Sequence, residues 1–303
     1  MIETSDYWIL NNQFIFKPNF NKPLGDKLLD LISNCNKLVF SNYDDLDLLC
    51  KHNNNAQPFS SNEFSHFNHQ ITGLPESLTH LTFGCKFNCQ ITGLPKSLTH
   101  LKFDWSFDQP VEGLPESLTH LTFGYEFNQQ ITKLPSNLTY LKFDDRFNHQ
   151  ITGLPNSLTH LVFGREFNHQ ITGLPESLTH LVYLSDFNFQ FDRLPNIKYL
   201  EVSCNDQYLI DNLPNSLEEL VLTRGFNLEL NDLPNQLKKI RLQNVMYDKK
   251  LNNLPESVEI IELSSRYYEK ISKLPKNLKT IKCNSRYRFI NDFVGYQVQK
   301  IYD

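Results

Sequence analysis

The chain has 303 residues, a formal net charge of −5, 21% charged residues and 40% hydrophobic residues. This balance lacks the basic excess of a nucleic-acid binder, and no apolar run reaches the eighteen or so residues of a membrane span. The start, MIETSDYWIL, carries an early acid instead of a basic-then-apolar signal, so an intracellular, cytoplasmic location is expected. The six cysteines, Cys35, Cys50, Cys85, Cys89, Cys204 and Cys283, share no repeat position and form no disulfide framework. Cys85 and Cys89 make a lone CxxxC without a second ligand pair and read as free thiols, so neither metal nor cofactor is expected. The sequon Asn137-Leu138-Thr139 belongs to the repeat described next and is incidental.

Residues 1–66 read as an N-terminal cap holding a degenerate first coil. Phe20-Asn21-Lys22-Pro23-Leu24 echoes a turn that recurs later, Leu38-Val39-Phe40 echoes a strand, Lys27 to Ile32 suits a short helix, and the Asn-rich stretch from His52 to Ser61 suits a loop. From Phe67 a block of about twenty residues takes over, with the core FNxQITGLPxSLTHLxFG. Its Leu-Pro dipeptide starts at Leu74, Leu94, Leu114, Leu134, Leu154, Leu174, Leu194, Leu213, Leu233, Leu254 and Leu274. Such even spacing predicts one supersecondary unit stacked on itself over residues 67–285, closed by a C-terminal cap at 286–303.

Within one coil, His80, Leu81, Thr82, Phe83 and Gly84 alternate out and in, the period of a half-buried strand. Pro75 has no N–H for a ladder, so Leu-Pro belongs on the return side, where proline suits the first central position of a tight turn and Gly73 lets the backbone bend. Both arms of the coil are too short for an ordinary helix. The expected architecture is therefore mainly β: one parallel sheet of short strands, with 3₁₀ or irregular returns, and columns of Leu78, Leu81, Phe83, Phe87, Ile91 and Leu94 filling the core.

The spacing LPxSLxxLxF…N resembles a short leucine-rich repeat, and the FN-x-x-(I/L)-x-x-LP-x-SL form resembles the FNIP repeats of social amoebae and of giant viruses that infect amoebae. The match is close from Phe67 to about Phe189 and looser through Phe226-Asn227, Tyr247-Asp248, Tyr267 and Tyr287. The resemblance implies a leucine-rich-repeat-like solenoid, a role in protein–protein contact, and a host-cell cytoplasmic setting if the chain is viral. Some family members carry an N-terminal F-box, which would imply an adaptor for a ubiquitin ligase. Here Asp45 to Lys51 matches only the last third of that box faintly, and its opening is missing.

Three columns are candidates for a role. Asn68, Asn88, Asn128, Asn148, Asn168 and Asn188, with Asp108 in register, supply an oxygen that can accept turn N–H groups and tie coil to coil. His80, His100, His120, His160 and His180, with Tyr140 in register, point outward from the strand face. They read either as a duplicated solvent-facing residue or as a binding surface of flat rings; a straight row does not surround a metal ion. Positions after the strand vary most (Cys85, Trp105, Tyr125, Asp145, Arg165, Ser185), and Trp105, Tyr125 and Arg165 are favoured interface anchors. The alternation of Thr82/Gly84 with Lys102/Asp104 fits either a ridged recognition face or a duplicated forty-residue block. Past residue 190, Lys198, Glu201, Glu218, Glu219, Lys238, Lys239, Arg241, Glu262 and Lys282 read first as solvation. No nucleophile, base and orienting group converge, so the expected function is a non-enzymatic, monomeric scaffold for an unidentified protein partner, with no nucleic acid or membrane bound. A ubiquitin-ligase adaptor and a passive repeat protein are the alternatives.

Overall fold

A computed structural model describes residues 2–41, 64–185, 187 and 193–301. The sequence readings at Asp45–Lys51, His52–Ser61 and Asn188 lie outside the described residues. The chain divides into two compact units, Met1–His149 and Gln150–Asp303.

The first unit opens with three antiparallel strands, β1 (Ile2–Glu3), β2 (Tyr7–Leu10) and β3 (Gln13–Phe16). Asn11 and Asn12 link β2 to β3 at φ 48° and 60°, the left-handed pair that a two-residue hairpin turn needs. Helix α1 (Asp26–Ile32) covers the stretch where a helix is expected and leads to β4 (Lys37–Phe40). Strand β4 lies parallel to β3, and one strand per coil follows: β5 (His80–Thr82), β6 (His100–Lys102), β7 (His120–Thr122) and β8 (Tyr140–Lys142). Register is strict, with His80 opposite His100 and Leu81 opposite Leu101. The parallel sheet expected from the repeat therefore holds from β3 onward, and the antiparallel start is an addition to it.

The second unit is parallel throughout: β9 (His160–Phe163), β10 (His180–Tyr183), β11 (Tyr199–Val202), β12 (Glu219–Leu222), β13 (Lys239–Leu242), β14 (Ile260–Glu262), β15 (Thr280–Asn284) and β16 (Gln297–Ile301). A one-turn helix, α2 (Gln207–Asp211), stands where other coils carry their FN turn, and the Asp206 carboxylate caps it by accepting the Leu209 N–H at 3.2 Å. Before β16 a short 3₁₀ segment, Ile290–Phe293, lays the buried Phe293 flat against Tyr287 at 5.6 Å, while Val294 is exposed.

Return segments are irregular, and their turn differs from the sequence expectation. The Leu78 N–H donates to the Pro75 carbonyl at 3.0 Å, and Leu98 and Leu118 do the same to Pro95 and Pro115. Proline is thus the first residue of the turn, not its first central one: it supplies the accepting carbonyl while its missing N–H costs nothing. Gly73 precedes it at φ 71°.

Inside each coil of the first unit, two phenylalanines stack: Phe83 on Phe87, Phe103 on Phe107 and Phe123 on Phe127, all at 3.8 Å. Phe87 and Phe107 of successive coils sit 6.0 Å apart, so two aromatic columns run beside the columns of Leu78, Leu81 and Ile91. Leu94, expected in the core, is only half-buried. In the second unit tyrosines take over the outer aromatic column, and their hydroxyls reach backbone carbonyls (Tyr247 to Leu228 at 3.0 Å, Tyr287 to Glu269 at 2.6 Å).

Gly84 and Gly124, expected to face outward, are buried. A Cβ on Gly124 would fall 2.2 Å from the Asp104 carbonyl oxygen. Close approach of two backbones, and not a recess in a recognition face, explains glycine there. Gly124→Ala is expected to destabilise the chain by about 1–3 kcal/mol, read as a lower melting temperature, because the obstacle is backbone and cannot rotate away.

Candidate functional site

The Asn column is built of hydrogen bonds between coils. The backbone N–H groups of Asn88, Asp108, Asn128 and Asn148 donate to the side-chain oxygens of Asn68, Asn88, Asp108 and Asn128, each at 2.9 Å. Asn68 itself donates to Asn21 at 3.4 Å, within the degenerate first coil. Asn168 is exposed in the second unit, where the same bond links Asn227 to Asn205 at 2.7 Å. A second ladder escaped sequence reading: the Ser97, Ser117 and Ser177 hydroxyls donate to the Leu78, Leu98 and Leu158 carbonyls at 2.7, 2.6 and 2.7 Å. The recurrence of Ser in LPxSL, interrupted at Asn137, Gln236 and Asn277, was the available signal. Asn128→Ala is expected to cost about 1 kcal/mol, since it strands the Asn148 N–H, whereas Asn128→Asp should leave melting unchanged because Asp108 already performs that role.

The histidines form a stacked row. His80 and His100 lie 4.1 Å apart, His100 and His120 4.2 Å, and Tyr140 follows at 5.7 Å. In the second unit His160 and His180 stack at 4.1 Å, with Tyr199 at 5.6 Å. Each ring is half-buried by its neighbours. Their tautomer is set by the preceding threonine. Thr99 Oγ1 donates its one proton to the Thr79 carbonyl at 3.0 Å, so its oxygen accepts from His100 Nδ1–H at 2.9 Å. Thr79, Thr119 and Thr179 repeat the arrangement with His80, His120 and His180. Each Nε2 is left as a hydrogen-bond acceptor. Burial first, and neighbouring His80, His120 and Lys37 second, push the His100 imidazole down to about 4. Burial lowers His80, His120 and His180 as well, so desolvation outweighs the mutual repulsion anticipated from the row. The imidazole row is therefore uncharged near neutrality.

A histidine whose pKa is depressed on folding stabilises fully above its unfolded value near 6.5, and that contribution disappears as pH falls toward about 4. The urea midpoint of the wild type is expected to drop more between pH 7 and 4.5 than that of His80→Gln/His100→Gln/His120→Gln. Equal drops would contradict the assignment.

Beyond the strands of the first unit, Trp105 and Tyr125 stack at 4.4 Å, and the Arg146 guanidinium lies 5.2 Å over the Tyr125 ring while pairing with Glu126. Trp105 is 51% exposed. These residues occupy the turn that follows each strand, tied by Glu126 N–H to Trp105 O at 2.8 Å and Arg146 N–H to Tyr125 O at 3.3 Å. Sequence reading found Trp105 and Tyr125 but missed Arg146, which sits one position further along its coil. It grouped Arg165 with them, but Arg165 is an exposed residue of the second unit. Cys85 and Ser185, at the same variable position of their coils, are buried.

The strand face of the second unit carries interlocked charges. Lys239 contacts Glu219 and Glu262, both at 3.3 Å; Arg241 contacts the same two carboxylates at 3.4 and 2.9 Å; Lys282 meets Glu262 at 2.9 Å. Burial would raise the Glu262 carboxyl, but Lys282, Lys239 and Arg241 outweigh it and hold it below the ordinary range. In the column that carries Thr179, the signs alternate through Lys198, Glu218, Lys238, Glu259 and Lys279, with pairs at 3.7, 2.8 and 2.7 Å. That alternation was readable at twenty-residue spacing, and it makes these residues more than solvation. Among the described residues, no group of three His, Cys, Asp or Glu side chains is placed to hold a metal ion, and no helix is long and apolar enough to cross a membrane.

Parallel in-register strands, one per coil of about twenty residues, with a leucine and phenylalanine core, define a leucine-rich-repeat-like solenoid. Residues 67–104, 91–126, 107–143, 127–153 and 147–187 match the FNIP Repeat family, so the stretch 67–187 is built of FNIP repeats. Among solved structures it is similar to CroV588 of a giant virus, described as a circular leucine-rich-repeat protein, at 34% identity and a TM-score of 0.63 over 92% of this chain. The chain spans about half of that protein, 48% of its length. YopM from Yersinia enterocolitica WA-314 shares 20% identity, with a TM-score of 0.42, over 72% of this chain and 58% of YopM. A search among curated proteins finds no match.

Proposed function

We propose that this chain is a non-enzymatic, monomeric scaffold that binds a protein partner through the strand face and adjoining rim of its first unit. The supporting observation is the Trp105–Tyr125–Arg146 stack, a large aromatic surface held rigidly by coil-to-coil hydrogen bonds and left open to solvent on Trp105. Tryptophan, tyrosine and arginine dominate interface energetics because they bury much area for little lost freedom. The neighbouring row of His80, His100, His120 and Tyr140 adds a flat, uncharged strip whose Nε2 atoms accept hydrogen bonds from a donor-bearing partner. The antiparallel strands at the N-terminus and the Tyr287–Phe293 segment act as caps that keep the ends of the repeat core from water. His160, His180 and Arg165 belong to the second unit and extend the contact only if the partner reaches that unit too.

Affinity capture from a cell lysate tests this. Trp105→Ala/Tyr125→Ala is expected to lose a partner that the wild type retains, with loss of more than tenfold in affinity once the partner is purified. Equal capture by both proteins would move the binding surface elsewhere, and capture of nothing by either would favour a passive repeat protein.

A further inference from the structure

The last turns of the second unit depart from two regularities kept elsewhere in the stack. Tyr247, Tyr267 and Tyr287 stack at 6.2 and 6.1 Å, and the residues on either side of each are exposed. One flank carries Met246, Arg266 and Arg286; the other carries Asp248, Tyr268 and Arg288. We infer that this patch is an interaction surface for an acidic segment of a protein partner, rich in aspartate or glutamate with apolar residues between them.

The first departure is in charge. β14 and β15 run in register, with Glu262 opposite Lys282, and the turns that follow them close alike. The Tyr267 N–H donates to the Ser264 carbonyl at 3.1 Å and the Tyr287 N–H to the Asn284 carbonyl at 3.0 Å. The Arg266 N–H donates to Ser264 Oγ at 3.3 Å, and the Arg286 N–H to Asn284 Oδ1 at 2.8 Å. Arg266 and Arg286 thus hold one position in successive coils, where like charges repel. On the strand face Lys239, Arg241 and Lys282 are each paired to carboxylates. Here Asp248 is held by Lys249 at 2.8 Å and Asp292 by Lys270 at 3.0 Å, and among the described residues no carboxylate pairs with Arg266, Arg286 or Arg288. The remaining acid of these turns, Glu269, is half-buried. Three guanidiniums against one carboxylate leave the patch cationic on a chain of net charge −5. A negative chain repels a long polyanion such as nucleic acid, whereas a local cationic patch attracts a short acidic segment.

The second departure is in the Asn column. The Asp248 N–H still donates to Asn227 Oδ1 at 3.1 Å, but Tyr268 and Arg288 then put a phenol and a guanidinium where other coils carry a short side-chain oxygen. The exchange brings the core nothing: Tyr268 is 68% exposed, and Met246, one coil before Arg266, is 71% exposed. Local rules broken without structural return mark function. The guanidinium forks match carboxylates, and the open tyrosine and methionine offer apolar contact beside them.

This surface lies in the second unit alone and does not depend on the Trp105 stack. The test titrates the full chain against a fluorescein-labelled peptide of alternating glutamate and leucine, against the same peptide with glutamine for glutamate, and against oligothymidylate of equal charge, each read by fluorescence anisotropy. Saturable binding of the glutamate peptide is expected, weakening as salt rises, with a loss of about tenfold in affinity in Arg266→Gln/Arg286→Gln/Arg288→Gln. Trp105→Ala/Tyr125→Ala is expected to bind that peptide as the wild type does, which separates this result from lysate capture. The substituted arginines are exposed, and an unchanged melting temperature establishes that the variant is folded. Absence of saturable binding, equal affinity in the arginine variant, or equal binding of the glutamine peptide overturns the inference. Tighter binding of oligothymidylate than of the glutamate peptide overturns it as well, by making the partner a nucleic acid.

Discussion

Coil stacks on coil through parallel backbone hydrogen bonds, and neighbouring strands in such a sheet lie about 4.8 Å apart. Every outward or inward position must therefore be compatible with its own equivalent one coil away. The strict pairing of His80 with His100 and Leu81 with Leu101 makes that requirement literal. Phenylalanine meets it by ring stacking, serine by donating to the preceding carbonyl, and asparagine by pairing one side-chain oxygen with the next backbone N–H. Histidine meets it by remaining neutral, which its burial favours, while its threonine partner fixes the tautomer. Charged side chains meet it by alternating in sign, as Lys198, Glu218, Lys238, Glu259 and Lys279 do, or by standing between neutral neighbours, as Lys102 does between Thr82 and Thr122.

The two units thus use one backbone solution for two surface textures. The first presents an uncharged strip of rings beside an aromatic rim; the second presents a lattice of ion pairs. In the lattice, Glu262 sits half-buried among Lys239, Arg241 and Lys282, so its charges answer mostly to one another and offer little net field to a passing partner. The widest variation in side chain falls at the turns after the strands, where the framework permits it.

Much of this was legible in the sequence because period carries it. Alternation around Leu81 gave the strand, the twenty-residue step gave the parallel stacking, and the recurrence of Asn after Phe pointed to a side-chain ladder. What escaped was whatever depends on the path of the chain within a coil. Pro75 takes the first turn position because its carbonyl, not its ring, is what Leu78 needs. Cys85 turns inward while Trp105 turns out, although both occupy the same register. Arg146 joins Tyr125 by reaching back one coil, a contact that no spacing rule announces. Helix α2 replaces an FN turn near the shortened nineteen-residue step, where the periodic signal itself lapses.

The contact between Gly124 and the carbonyl of Asp104 carries a consequence for how such a chain can change length. Glycine at 84 and 124 alternates with aspartate at 104 and 144. A deletion or insertion that set any residue other than glycine in the backbone position of Gly124, over the carbonyl of Asp104, would drive a side-chain carbon into the peptide beneath it.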